Sequence, residues 1–157
     1  HPRDRRQRQM CIRDRSMTPE KLVKNFNRCA DWEERYLYLI ELGERLPQYP
    51  TSKQTDEYLV AGCQSKVWLD LTYLPESDKL NLAATSDAAI VKGLLALLSV
   101  AYNEMSPVEI VNFDMEAWFE QLQLKTHLTP TRAQGLEAVV KQAKADARSF
   151  VKCSTPV

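Results

Sequence analysis

Apolar positions recur with a helical period at both ends of the chain and with a period of two in its middle. After Thr18, Leu22, Phe26 and Cys29 fall on one helical face. After Asp31, the same spacing aligns Trp32, Tyr36, Leu39, Gly43 and Leu46, and Pro47 stops the helix. Residues 47–57 are polar, hold two prolines and show no period, which predicts a loop. Val67, Leu69, Leu71 and Tyr73 then alternate with Lys66, Trp68, Asp70 and Thr72. Pro75 to Asp78 reads as a turn, and Leu80, Leu82 and Ala84 resume the alternation. This predicts an antiparallel hairpin with one buried face. Tyr58 to Ala61 reads as a third strand before it.

The helical period returns at Ser86-Asp87. Ile90, Val91, Leu94, Leu95, Leu97, Leu98 and Ala101 are apolar nearly all round, as in a central buried helix. Ser106 to Val111 and Asp114 to Leu122 predict two short helices, and Thr129 opens a long one with Leu136, Val139, Val140, Ala143, Ala147 and Phe150 facing inward. Thr18-Pro19, Ser106-Pro107 and Thr129-Pro130 each place a hydroxyl at the N-cap and proline at the first helical position. Ser106 with Glu109 adds a capping box, and Asp31 with Glu34 repeats the logic without proline. Helices, then strands, then helices indicate an α+β fold, a small antiparallel sheet packed against helices, rather than a βαβ fold.

The 157 residues suit one domain. At this length about two thirds of the unfolded chain's surface can be buried, so a core needs no disulfide or metal. The longest apolar stretch, around Leu94 to Ala101, falls short of a membrane span. The formal charge is zero, but six arginines and two aspartates lie in residues 1–16. The remainder holds 15 basic and 19 acidic side chains, net −4, which argues against nucleic-acid binding. Residues 1–16 lack an apolar secretory region and any helical or strand period. They read as a non-native or disordered leader, a remnant of upstream translation or cloning, with a basic arm for RNA or an acidic partner as the alternative. The folded domain is then expected over 17–151, with 152–157 as a frayed tail.

Four cysteines offer chemistry: Cys11 in the leader, Cys29 on an apolar helical face, Cys63 in a loop, and Cys153 in the tail. No CxxC pair occurs, and His127 is the one histidine inside the domain, so a zinc site, an iron–sulfur scaffold and a disulfide framework are all unsupported. No metal is expected. Cys63 stands out in Gly62-Cys63-Gln64-Ser65, where Gly62 permits a sharp turn or a close approach. Two readings stay open there, a chance loop cysteine and a functional thiol. Arg132 and Gly135 also look locally unfavourable. A cation in the first turn opposes the helix dipole, and glycine costs about 1 kcal/mol against alanine. Asp87 at a helix start is electrostatically favourable, and Gly93 inside the buried helix allows close packing.

Gly62-Cys63-Gln64-Ser65-Lys66-Val67-Trp68 resembles the active-site motif of the SufE family, sulfur acceptors that partner cysteine desulfurases. Trp32 to Tyr38 with Glu41-Leu42-Gly43, Ser86 to Leu94, Ile110 to Asp114 and His127 to Leu136 are similar to further blocks of the family, in the same order. The resemblance covers about residues 18–148. Gln64-Ser65 favours the SufE branch over its CsdE paralogue.

The resemblance implies a fold shared with IscU-type scaffolds and makes Cys63 the persulfide-carrying thiol. It implies the desulfurase SufS and the SufBCD scaffold complex as partners, and a homodimer. Pyridoxal phosphate belongs to the desulfurase, and no cofactor is expected on this chain. Gly62, Gln64, Ser65, Asp87 and Arg132 become candidates for loop or partner contacts, with Gly62 as a hinge. The chain is then a sulfurtransferase-type accessory protein without turnover of its own, in the cytoplasm. Three alternatives are a CsdE-like acceptor for a CsdA-type desulfurase, a non-catalytic binding module, and a hydrolase using Cys63 and His127.

Overall fold

The computed structural model describes residues 18–102 and 104–154; the expected leader lies outside them. Among these residues two helices come first, α1 (Pro19–Arg28) and α2 (Trp32–Glu44). The hairpin of β1 (Val67–Leu74) and β2 (Lys79–Ser86) follows. Five further helices follow among the described residues: α3 (Ala89–Tyr102), α4 (Pro107–Asn112), α5 (Met115–Gln121), α6 (Leu124–His127) and α7 (Pro130–Ser154). The fold is α+β, as the hydrophobic periods predict.

The caps form where the sequence places them. Thr18 Oγ1 accepts from Lys21 N at 3.2 Å, Asp31 Oδ1 from Glu34 N at 2.9 Å, and Thr129 Oγ1 from Arg132 N at 3.3 Å. Ser106 and Glu109 close a reciprocal capping box. Each cap satisfies amide donors that the first helical turn leaves without an intrahelical partner.

In the hairpin, Leu69 faces Ala84 and Leu71 faces Leu82, so the buried faces of the two strands coincide. Helix α7 packs on β1, where Phe150 stacks on Tyr73 with ring centroids 5.9 Å apart. The all-round apolar helix α3 touches both β2 and α2. Its Leu95, Leu97 and Leu98 are at most 1 % exposed. Full burial of such a side chain contributes about 1.5–3 kcal/mol.

Two glycines set how closely α2 and α3 cross. A Cβ on Gly93 would lie 2.2 Å from the Leu39 carbonyl oxygen, and one on Gly43 would lie 2.7 Å from Gly93 N. Both clashes are with backbone, which no side-chain rotation relieves.

Several local expectations need correction. The expected third strand reduces to a single bridge, Leu59 to Trp68, flanked by two backbone hydrogen bonds. The polar segment 47–57 contains a 3-10 turn over Thr51–Lys53 and a buried Tyr49, whose hydroxyl donates to the Lys53 carbonyl at 3.3 Å. Lys53 in turn pairs with Asp70 on β1 at 2.6 Å. These contacts supply the order that composition does not. Ser86 ends β2 rather than opening a helix, and α3 begins at Ala89. Helix α6 has no counterpart in the hydrophobic pattern; it follows Gln123, whose backbone is left-handed at φ 57°. Helix α7 runs to Ser154. Among the described residues, no helix is long and apolar enough to cross a membrane.

Gly93→Ala should lower stability by about 3 kcal/mol or more, at or beyond the upper end of ordinary overpacking, because α2 and α3 must separate along their length. Urea unfolding followed by circular dichroism measures this; an unchanged midpoint would contradict the crossing geometry.

Candidate functional site

The loop leaving the Leu59 bridge turns back at Gly62, whose φ of +88° is the left-handed conformation that side chains resist. That turn directs Cys63 toward the first turns of α7. The Cys63 thiol donates to the Gly135 carbonyl oxygen at 3.4 Å, across 72 residues of sequence. The thiol is half-buried, and burial pushes its pKa up. Desolvation is the cause of that shift, and it disfavours the thiolate.

Cys63 opens onto a cavity of about 370 Å³. Val67 of β1, Val91, Leu94 and Leu95 of α3, and Leu136 and Val139 of α7 give it an apolar lining. Gln64, Ser65, Thr129, Thr131 and Arg132 supply polar groups. The hairpin, the buried helix and the last helix thus each contribute a wall. The arrangement sets apolar side chains on one side of the thiol and places one arginine among the polar groups of the lining.

Of the residues singled out from sequence, Cys63, Gln64, Ser65, Arg132 and Gly135 line this cavity together. Gly62 lies one residue away and shapes the loop. Asp87 does not line the cavity. Its Oδ1 accepts from Lys66 N at 3.2 Å, and its own N–H donates to the Lys66 carbonyl at 3.3 Å. Asp87 therefore ties down the exit of the Cys63 loop, and the expected role of anion at a helix start is replaced by this tie.

Arg132 donates from Nη1 to the Tyr36 hydroxyl at 2.7 Å. Its charge in the first turn of α7 is explained by this contact and by the cavity, not by a salt bridge. His127 stacks on Trp32 with centroids 3.8 Å apart and does not line the cavity, so the Cys63–His127 pair of a hydrolase is not assembled. Cys29 is half-buried, and its thiol donates to the Asn25 carbonyl at 3.6 Å, a packing role. The side chain of Cys153 lies outside the described residues. Among those described, no three His, Cys, Asp or Glu side chains gather as metal ligands.

Tyr36 is the member of the site that the hydrophobic pattern places only on a core-facing stripe. Its spacing from Trp32 signals a shared helical face, but nothing local signals Arg132, 96 residues away.

A family model described as SufE, Fe-S metabolism associated domain, matches residues 20–147. The fold is similar to the solution structure of a hypothetical protein from Thermus thermophilus, with a TM-score of 0.70 and 21 % sequence identity. That likeness covers 85 % of this chain and 96 % of the other.

Two glycine substitutions beside the thiol should have opposite signs. Gly62→Ala forces a side chain into the left-handed region and should cost about 1–2 kcal/mol. Gly135→Ala places its Cβ at an ordinary 3.8 Å from Cys63 Sγ and should gain up to about 1 kcal/mol from helix propensity. Chemical denaturation of both variants checks the pair; destabilisation by Gly135→Ala would mean that the loop packs too tightly on α7 to admit a methyl group.

Proposed function

The chain belongs to the SufE family, which places it in Fe–S metabolism, and from that premise we propose that Cys63 is a sulfur acceptor. It takes the terminal sulfur of a persulfide carried by a pyridoxal-phosphate-dependent cysteine desulfurase of the SufS type. The observation that carries the reading is a single thiol aimed at a cavity far larger than the one sulfur atom it would gain, with apolar walls and one cation at its polar side.

The step is thiol–persulfide exchange. The Cys63 sulfur attacks the terminal sulfur, a new S–S bond forms, and the desulfurase S–S bond breaks. The desulfurase cysteine leaves as a thiolate, and no net oxidation occurs. The proton of the neutral Cys63 thiol passes to a base of the desulfurase site or to the departing thiolate. An ordinary thiol is only a few per cent ionised at neutral pH, and burial lowers that fraction here. Reaction therefore requires the loop to leave Gly135 and enter the partner's site, with Gly62 as the hinge.

Once charged, Cys63 returns to its cavity. The apolar walls deny access to competing thiols, and access is one of the determinants of exchange rate. Arg132 offsets the negative charge of the persulfide. Relieving the desulfurase of its sulfur lets it turn over again, which is how the chain stimulates it. A second exchange then delivers sulfur to the SufBCD complex.

Incubation with a cysteine desulfurase and L-cysteine, followed by intact-mass spectrometry, tests the assignment. The expected result is a gain of one or more sulfur atoms, reversed by reductant and absent in Cys63→Ser. A gain that survives Cys63→Ser would overturn it. A CsdA-type desulfurase succeeding where a SufS-type enzyme fails would reassign the partner.

A further inference from the structure

Arg132 is held in an unfavourable place. It lies in the first turn of α7, where the amide dipoles disfavour a cation. No carboxylate among the described residues pairs with it. A long, flexible side chain so placed would turn to water unless something fixed it. The fixing contact is the 2.7 Å hydrogen bond from Nη1 to the Tyr36 hydroxyl, short for an N–H donor, as charge-assisted bonds are.

Tyr36 comes from α2, an element that contributes no residue to the cavity lining and reaches the site only through Arg132. One turn earlier on the same face, Trp32 carries the His127 ring. Helix α2 thus grips the segment 127–132 at both ends, by a ring stack and by a hydrogen bond. The second grip aims a charge at the thiol's cavity.

We propose that Tyr36 is a positioning residue, whose hydroxyl holds the Arg132 guanidinium at the Cys63 cavity so that the thiol reacts preferentially with anionic partners. The benefit to function rests on the reading of Cys63 as a sulfur acceptor, because a persulfide is anionic when ionised. The geometry itself is testable with no desulfurase present.

Two alkylating probes separate charge from reactivity. Iodoacetate is an anion and iodoacetamide is neutral. Both react by displacement of iodide by the same Cys63 thiolate, so their rate ratio cancels the thiolate fraction and loop opening. Modification is read on the Cys63 peptide by mass spectrometry, which separates it from the other cysteines. Tyr36→Phe should lower the iodoacetate-to-iodoacetamide ratio at least threefold and bring it within twofold of the ratio in Arg132→Ala. In an Arg132→Ala background, Tyr36→Phe should change the ratio no further. Raised salt should shrink the wild-type preference, as screening requires.

Tyr36→Leu removes the same acceptor and should give the same ratio, should the phenylalanine variant unfold. An unchanged ratio in folded Tyr36 variants would overturn the proposal, and so would an unchanged ratio in Arg132→Ala. An equal fall with Arg132 already removed would show that Tyr36 acts by another route and would also overturn it. Failure of sulfur transfer with every desulfurase leaves these ratios unaffected and counts only against the acceptor role.

Discussion

The backbone contact between Gly43 and Gly93 is the constraint on which the site depends. It brings α2 and α3 together at a distance that a single methyl group on either glycine would forbid. Helix α3 is buried on nearly every face, so its position fixes β2 on one side and α2 on the other. Val91, Leu94 and Leu95 of α3 then form cavity wall, while Tyr36 of α2 reaches Arg132. Had α2 stood further off, the wall would remain but the guanidinium would lose its anchor. A glycine pair that itself lines no part of the cavity thus sets the geometry of the charged side of the site.

On the proposed acceptor role, the Cys63 environment resolves a conflict between storage and reactivity. A carrier thiol must attack, which favours ionisation and exposure. A stored persulfide must resist attack, which favours the reverse. The resting geometry favours storage: half-burial, apolar walls, a raised pKa and a hydrogen bond in which the thiol is donor. A thiol that donates to a carbonyl is held in its protonated form by that bond as well as by burial. On the proposed acceptor role, reactivity waits for the loop to leave this site, between the left-handed turn at Gly62 and the Asp87–Lys66 tie. Asp87 fastens the strand side of the loop through Lys66.

What is legible in the sequence follows the range of the interactions. Caps at Thr18, Asp31, Ser106 and Thr129 are local, spanning three residues each, and can be read directly. The hairpin register follows from alternation about the Pro75–Asp78 turn. The motif around Cys63 is readable through its resemblance to the SufE family, and Arg132 and Gly135 are readable as local misfits. The meeting of Cys63 with Gly135 is not, because it joins residues 72 apart through a backbone carbonyl, which carries no side-chain signal. Tyr36 is hidden for the opposite reason, since its ring satisfies the core pattern and masks the use of its hydroxyl. The order of segment 47–57 escapes a pattern reading because it rests on the Lys53–Asp70 pair and the Tyr49 hydrogen bond rather than on any period.

Cys63 rests as a sheltered thiol whose ionisation burial disfavours. The pH dependence of its alkylation by iodoacetamide in the isolated native protein tests this most directly, with the urea-unfolded chain as reference. Burial disfavours the thiolate, so the native titration should lie above the unfolded one, and at neutral pH the native rate should be at least several-fold lower. A native midpoint at or below that of the unfolded chain, with no protection, would contradict the account.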